Sequence, residues 1–235
     1  MQARYERQIP ILGSEGQEKL RGAKVAVVGV GGLASAVCLY LAGAGVGHMR
    51  IIEDEIVELS NLNRQIIYSE EDIGKEKVYS AVEKLRKFNS EIEIEGIKER
   101  ISEKNIDLLD GMDAIVDCLD NFKSRYILNE ACLKYEIPLF HAACRAWQGQ
   151  VSVVIPYKSA CLKCIFPKVR EEKSPPVLGS VVGTIATIQA TEVIKYIAGI
   201  RPLLENKLLI YDAQFLSYYL VELERNKNCE ACGRK

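Results

Sequence analysis

The sequence feature that most restricts the fold is a glycine-rich turn between an apolar run and a segment of small residues. The apolar run is VAVV at positions 25–28, and GVGGLA follows at positions 29–34. We predict a helix over 33–44 and a second strand over 50–52, which ends on the acidic residues 53–55. A strand, a glycine turn, a helix, a strand and a terminal acid in this order are typical of a nucleotide-binding βαβ unit.

Each part of this turn suits an anionic ligand. Glycine at positions 29 and 31 lets the backbone approach a phosphate, and Ala34 allows the helix to pack closely on the strand. Unpaired N–H groups at the helix N-terminus favour the same anion, and the acid after the second strand can accept hydrogen bonds from a ribose. The turn by itself leaves ATP, NAD and FAD open as the nucleotide.

Strand and helix patterns alternate through the first part of the chain, after a short helical region over 3–21. Strands are predicted over 92–97, 114–118 and 138–143, with helices over 77–88, 104–109 and 124–135. This alternation predicts an α/β fold with a Rossmann-like, doubly wound, mostly parallel sheet.

After residue 145 the pattern changes, and antiparallel strands are expected to extend the sheet. Strands are predicted over 150–155, 207–211 and 218–222, with a long helix over 181–198 and a mobile crossover loop over 168–176. We expect one domain over residues 1–235, with a nucleotide-binding half at about 1–145 and a second half at about 146–235.

Composition excludes several classes of protein. With 31 basic and 32 acidic residues, the net charge of −1 gives no electrostatic footprint for nucleic acid or a membrane surface. No apolar run reaches transmembrane length, and the charged N-terminus lacks the apolar core of a signal peptide. We therefore expect a cytoplasmic protein whose eight cysteines are reduced.

Two Cys-x-x-Cys pairs predict a metal site. Cys161 and Cys164 form the first pair, and Cys229 and Cys232 form the second. Two such knuckles complete a tetrahedral set of thiolates, which suits a structural zinc ion with no open position. A redox role for the pairs is the alternative.

The other four cysteines are expected to be structural. Cys38, Cys118 and Cys132 fall at core-like positions and read as inert apolar side chains. Cys144 follows a strand end and could be exposed near the nucleotide, but burial is again the favoured interpretation.

Polar residues collect where the predicted parallel strands end, which is where open α/β sheets bind ligands. Glu53 and Asp54 follow one strand, the pair Asp120-Asn121 follows another, and Lys77 begins a helix. The loop Asn61 to Gln65 adds an arginine, and cations there would neutralise a polyphosphate. A carboxylate such as Asp120 could hold Mg²⁺ beside the phosphates.

Taken together, these segments resemble the MoeB/ThiF/HesA family, relatives of the ubiquitin-activating enzymes. The resemblance covers nearly the whole chain, from about Arg4 to Gly233. The segments that carry it are Arg4-Tyr5-x-Arg7-Gln8, Gly29-x-Gly31-Gly32-Leu33, Ser60-Asn61-Leu62-Asn63-Arg64-Gln65, Gly74-x-x-Lys77, Asp117-Cys118-x-Asp120-Asn121, Gly149-Gln150, both Cys-x-x-Cys pairs and Gln189-Ala190-x-Glu192-x-Ile194-Lys195.

The resemblance implies an ATP-dependent adenylyltransferase. Its substrate would be a ubiquitin-like sulfur carrier protein of the molybdopterin, thiamine or tRNA-thiolation type, whose C-terminal Gly-Gly carboxylate becomes an acyl-adenylate as pyrophosphate leaves. The zinc-containing second half of the chain would bind this carrier.

The resemblance also implies roles for individual residues. Glu53 would hold the ribose, and Asp120 would bind Mg²⁺. Arg7 would act as an arginine finger in the site of a partner subunit, which implies a homodimer. Asn61, Arg64 and Lys77 would grip the phosphates, with the other nucleotide-binding positions at Gly29, Gly31, Gly32, Asp54, Gln65 and Asn121.

One departure from the family pattern concerns the crossover loop. Members that form a thioester or persulfide carry a cysteine there, whereas residues 166–176 contain none. We therefore expect adenylation without a covalent cysteine intermediate on that loop, and sulfur from a separate donor. Residues 177–180 also differ from the family's usual proline-containing lead-in to the next helix.

Three other hypotheses stay open at this point. The enzyme could adenylate a different carboxylate, such as that of a peptide or of a modified tRNA nucleoside. The glycine turn fits a nicotinamide-dependent oxidoreductase equally well, although the Asn61 to Gln65 loop and the zinc knuckles do not. A non-catalytic scaffold with the same fold would also explain the missing loop cysteine.

Overall fold

A computed structural model describes residues 2–169 and 175–233, and its centre is one eight-stranded sheet. The strand order is β3-β2-β1-β4-β5-β6-β7-β8, with parallel pairing from β3 to β5 and antiparallel pairing from β5 to β8. The strands are β1 Lys24–Val28, β2 His48–Ile52, β3 Glu93–Ile97, β4 Ala114–Asp117, β5 Leu139–Arg145, β6 Gln148–Val154, β7 Lys207–Asp212 and β8 Ser217–Glu222.

Helices cover both faces of this sheet. The α-helices are α1 Gln2–Tyr5, α2 Ile9–Gly22, α3 Gly32–Ala44, α4 Lys77–Phe88, α5 Phe122–Tyr135, α6 Leu162–Ile165 and α7 Gly179–Ala198. α7 packs on α3 and α2, while α5 packs on α6 and on a 3-10 turn at Ile106–Leu109. Among the described residues, no helix combines the length and apolar composition that crossing a bilayer requires.

The strand β1 is buried on both faces, which explains its unbroken apolar sequence. Val25 and Val27 belong to the core under α3, α4 and α7, whereas Ala26 and Val28 belong to the core under α5. Alternate residues of one strand therefore join two separate hydrophobic layers.

The predicted fold class is confirmed, and most element boundaries agree within two residues. The sequence patterns missed the short helix α6 and placed one helical region over 3–21, where the structure has two helices. The second of them is kinked at Gly13, whose φ of 73° is the left-handed conformation that glycine tolerates. Of the predicted loop over 168–176, residues 170–174 lie outside the described residues.

The position of the cleft follows from the strand order. β1 lies between β2 and β4, so the chain runs outward from β1 in both directions. At such a switch point the loops after neighbouring strands diverge and leave a crevice beyond their carboxyl ends.

Candidate functional site

A cleft of about 1260 Å³ opens beyond the carboxyl ends of the parallel strands. The structure brings together in its wall every nucleotide-binding residue named from the sequence. These are Gly29, Gly31, Gly32, Glu53, Asp54, Asn61, Arg64, Gln65, Lys77, Asp120 and Asn121.

The glycine turn forms the floor of the cleft for steric reasons. Gly29 has φ = 87°, and a Cβ there would lie 2.9 Å from the carbonyl oxygen of Cys118. A Cβ on Gly32 would meet Val182 at 2.9 Å, whereas one on Gly31 would come no closer than 3.8 Å to any side chain. Gly31 precedes α3 as its N-cap residue. Open space therefore lies where the first N–H groups of α3 face the cleft, as a phosphate site requires.

Glu53 is held by the backbone around the turn. Its carboxylate accepts hydrogen bonds from the N–H groups of Val30 at 2.8 Å, Asp54 at 2.9 Å and Glu55 at 3.0 Å, and the residue is 9% exposed. Two carboxylate oxygens have about four acceptor positions, so one position is left for a hydrogen-bond donor of a ligand. Asp54 instead forms an ion pair with Arg100 at 3.0 Å.

Lys77 is a buried cation that pairs with Glu55. Its side chain is 4% exposed, and its Nζ lies 2.6 Å from Oε2 of Glu55. The hydroxyl of Tyr68 lies 3.0 Å from the carbonyl of Val30 and 3.1 Å from that of Lys77, and so links the glycine turn to α4. Sequence reasoning missed Tyr68, because an aromatic residue in an irregular loop carries no pattern.

The loop from Asn61 to Gln65 supplies a second cation. Nη1 of Arg64 donates to the carbonyl of Ser60 and to Oδ1 of Asn63, both at 3.0 Å. Asn61 accepts from the N–H of Glu58 at 3.0 Å and stabilises the turn. Oε1 of Gln65 is buried and has no hydrogen-bond partner among the described residues.

Asp120 and Asn121 lie side by side at the start of α5 and have different contacts. Oδ1 of Asn121 accepts from the N–H of Ser124 at 2.9 Å and caps the helix, while its amide donates to Oδ1 of Asp120 at 3.1 Å. Asp120 is exposed, and within the described residues its Oδ2 accepts no hydrogen bond. A free carboxylate oxygen on the cleft wall fits the expected magnesium ligand.

Among the residues predicted to act on the nucleotide, Arg7 is the one that lies outside the cleft. Its neighbours Tyr5 and Gln8 contact Gly45 and Ala44, at the C-terminal end of α3. The cleft lies at the N-terminal end of that 13-residue helix, about 20 Å away at 1.5 Å per residue. Arg7 therefore cannot serve the cleft of its own chain.

The four cysteines of the two Cys-x-x-Cys pairs form one cluster. Their sulfur atoms all lie within 4.8 Å of one another. Sγ of Cys161 is 3.8 Å from that of Cys164 and 3.7 Å from that of Cys229, and the Cys164–Cys232 distance is 3.5 Å. Tetrahedral Zn–S bonds of about 2.3 Å require sulfur atoms ~3.8 Å apart, so the cluster fits zinc.

The other cysteines are buried or partly buried. Cys38, Cys118 and Cys132 are buried, as expected. Cys144 lines the cleft and is partly buried, and this burial raises the pKa of its thiol to about 12.

Comparison with known proteins identifies the relatives of this chain. The model of the ThiF family matches residues 5–231. The chain is 37% identical to the SAMP-activating enzyme E1 of Haloferax volcanii, over 98% of this chain and 88% of that protein. It is 36% identical to the sulfur carrier protein adenylyltransferase of Thermus thermophilus, over 98% of this chain and 90% of the relative.

A solved structure shows the same architecture. The crystal structure of E. coli MccB with ATP matches with a TM-score of 0.88 and 27% identity, over 98% of this chain and 74% of that chain. The sequence-based assignment is confirmed: the chain belongs to the ThiF family and is an adenylyltransferase.

Proposed function

We propose that this enzyme uses Mg·ATP to adenylate the C-terminal glycine carboxylate of a ubiquitin-like sulfur carrier protein. The observation that carries the proposal is the gathering of Lys77, Arg64 and Asp120 around the glycine turn in one cleft. Family membership favours adenylyl transfer over the nicotinamide-dependent hypothesis that the turn alone left open.

The reaction joins two anions, so charge is the main obstacle. A carboxylate oxygen attacks the α-phosphorus, the bond between that phosphorus and the bridging α–β oxygen breaks, and pyrophosphate leaves. Lys77 and Arg64 offset the negative charge that develops on the phosphate oxygens. Mg²⁺ held by Asp120 would supply further charge neutralisation on the leaving group. Glu53 orients the ribose, and the N–H groups at the start of α3 hold the phosphates.

We propose that no cysteine acts covalently on the crossover loop. Residues 166–176 contain no cysteine, and the thiols that line the cleft are Cys118 and Cys144. Burial raises the pKa of Cys144 to about 12 and that of Cys118 well above its usual range. A protonated thiol is a poor nucleophile, so sulfur would come from a separate donor.

Exposed apolar side chains on the edge strand β8 and in the turn before it support a carrier-binding role for this half of the chain. Six large apolar side chains of β8 and of the turn before it are between 43% and 77% exposed: Phe215, Leu216, Tyr218, Tyr219, Leu220 and Val221. Large exposed apolar patches mark interaction sites. The turn is tied to the rim of the cleft, because the N–H of Ala213 donates to the carbonyl of Trp147 at 2.8 Å.

We further propose a homodimer in which Arg7 enters the cleft of the partner subunit. Arg7 is exposed and lies far from its own cleft, which supports a role in a second copy. In the same proposal, residues 1–235 act as one adenylation domain, with zinc at the cysteine cluster as a structural ion. The continuous sheet through both halves supports this organisation.

Pyrophosphate–ATP exchange tests the proposed function. We expect exchange that depends on a carrier protein ending in Gly-Gly, and a loss of at least about 100-fold in Asp120→Ala, since the magnesium ligand is removed. Asp110→Ala is the matched control, because Asp110 is an exposed aspartate away from the cleft.

Two further substrates separate the alternatives. A short free peptide ending in Gly-Gly and a carboxylated nucleoside replace the carrier in parallel reactions. Exchange with either small substrate and none with any carrier would contradict the proposal in favour of another carboxylate. Full exchange in Asp120→Ala would remove Asp120 from the mechanism.

A further inference from the structure

A chain of buried polar side chains runs from the sheet into the cleft, and the proposed reaction does not use it. Oδ2 of Asp117 lies 2.7 Å from Nδ1 of His141, and Nε2 of His141 lies 3.2 Å from Nε2 of Gln150. Asp117 and His141 are fully buried, whereas Gln150 lines the cleft.

The charges around this row of buried side chains determine which ring nitrogen of His141 carries the proton. Arg125 lies 3.3 Å from the Asp117 carboxylate and balances it, and the N–H of Leu119 donates to the other Asp117 oxygen at 3.1 Å. Burial lowers the pKa of His141. The rings of Phe122 and Phe166, 6.4 Å and 5.5 Å from the His141 ring, keep its surroundings apolar. A neutral His141 therefore donates from Nδ1 to Asp117 and offers Nε2 as an acceptor.

This tautomer orients the Gln150 amide. Because Nε2 of His141 accepts, the amide nitrogen of Gln150 must face it and donate. That leaves the Oε1 atom and the second N–H of Gln150, and within the described residues neither has a hydrogen-bond partner. Both belong to a residue of the cleft wall, so an acceptor and a donor stand side by side there.

The same network holds the loop that carries Asp120. Asp117 binds the N–H of Leu119, and Nη2 of Arg125 donates to the Leu119 carbonyl at 2.5 Å. The orientation of the Gln150 amide and the position of Asp120 are thus set by one buried cluster. A group recognised by Gln150 is therefore held in a constant relation to Asp120.

We propose that Gln150 is a specificity residue that recognises the last peptide amide of the acyl substrate, with His141 and Asp117 as its positioning residues. Oε1 of Gln150 is an acceptor on the cleft wall that matches the N–H of a peptide unit, and simple carboxylic acids lack this donor. The inference rests on the proposed function and adds to it the residue that recognises the last amide of the substrate.

The test uses two forms of one carrier protein ending in Gly-Gly. The first has the natural last amide, and the second is made by ligation with glycolic acid as its final residue, so that an ester oxygen replaces the N–H. In pyrophosphate exchange by the wild-type enzyme, we expect the ester form to have a KM about tenfold higher, because Oε1 of Gln150 loses its donor.

The variants show whether Gln150 causes this discrimination. In Gln150→Met both carriers should have the same raised KM within about twofold, while the KM for ATP stays unchanged. Gln150→Asn, which withdraws the amide by one methylene, should also lose the discrimination. His141→Phe should reduce the ratio of the two KM values, a readout that a purely structural role would leave unchanged.

Ser152→Ala is the matched control. Ser152 lies two residues along β6, and its hydroxyl donates to the carbonyl of Lys207 at 2.8 Å, outside the cleft wall. It should keep the wild-type ratio. A wild-type enzyme that uses both carriers equally, or a Gln150→Met enzyme that still discriminates, would overturn the inference alone. No exchange with either carrier would overturn the proposed function as well.

Discussion

At the scale of single residues, three buried charges of the nucleotide-binding half each pair with an opposite charge. Lys77 pairs with Glu55, Asp117 with Arg125, and Asp72 with Lys84. Removing one member of such a pair leaves an uncompensated buried charge, which costs far more than losing a surface pair.

Asp72 gives a stability prediction because it holds the loop between Gln65 and Lys77. Its carboxylate is 6% exposed and accepts from Lys84 and from the N–H and hydroxyl of Ser69. Burial alone would raise the pKa of Asp72, but these donors outweigh it and hold the pKa below its usual range. Asp72→Asn should therefore lower the free energy of unfolding at pH 7 by about 2 kcal/mol.

The sign of the pH dependence follows from the lowered pKa. Asp72 stabilises the folded state above its unfolded pKa of about 3.9, and this contribution is lost as the pH falls below that value. Urea denaturation should show the difference between the wild-type protein and Asp72→Asn at pH 7 and its decline below about pH 4. Glu83→Gln, which breaks an exposed pair with Lys87, is the control and should cost less than about 0.5 kcal/mol. A constant difference at all pH values would contradict the account.

At the scale of elements, the turn between β1 and α3 requires glycine at two positions for two different reasons. Gly29 must be glycine for the fold, because its φ is positive and a Cβ would press on the Cys118 carbonyl. The protein around Gly31 leaves room for a methyl group, so glycine at this position is required by the ligand and not by the fold.

Two alanine variants distinguish the requirement of the fold from the requirement of the ligand. Gly29→Ala should lower the free energy of unfolding by about 3 kcal/mol, through backbone strain and the close contact. Gly31→Ala should change it by less than about 1 kcal/mol, yet weaken ATP binding about tenfold or more, because the methyl group occupies the space for a phosphate. Urea denaturation and calorimetric titration with ATP measure the two effects. Equal loss of stability in both variants would contradict the distinction.

At the scale of the whole molecule, the cysteine cluster joins the end of the chain to the cleft. Cys161 is the N-cap residue of α6 and Cys164 lies within this helix, and Phe166 follows the helix directly, with its ring 5.2 Å from that of Phe122. A metal ion at the cluster would hold the residues around Cys229 against this segment.

Metal removal gives the prediction at this scale. We expect one zinc ion per chain by elemental analysis, and a fall in the melting temperature of at least about 5 °C after chelation or in Cys229→Ser, because binding stabilises only the folded site. Cys144→Ala is the control, since Cys144 lies outside the cluster, and it should retain the metal. Full zinc content in Cys229→Ser would contradict the assignment.

The candidate site was largely predictable because its parts follow strand ends. Buried strands have apolar sequences and turns have glycine, so the residues after each strand could be assigned to one edge of the sheet. Glu53 and Asp120 were named in this way, and Lys77 was named as the first residue of a predicted helix. Tyr68 and the pairing of Glu55 with Lys77 were missed because those contacts join distant segments that no local pattern relates.

What the sequence by itself determined is the order of strands and helices, the glycine turn and the two cysteine pairs, because periodicity and spacing are local properties. Only the tertiary structure decided which polar groups keep a donor or acceptor position free for a ligand. Asn121 caps α5, Asp120 keeps an open oxygen, and the buried pair Asp117–His141 directs Gln150. Hydrogen bonds between residues far apart in the chain consume some donors and acceptors and leave others for a ligand, and that balance exists only once the chain is folded.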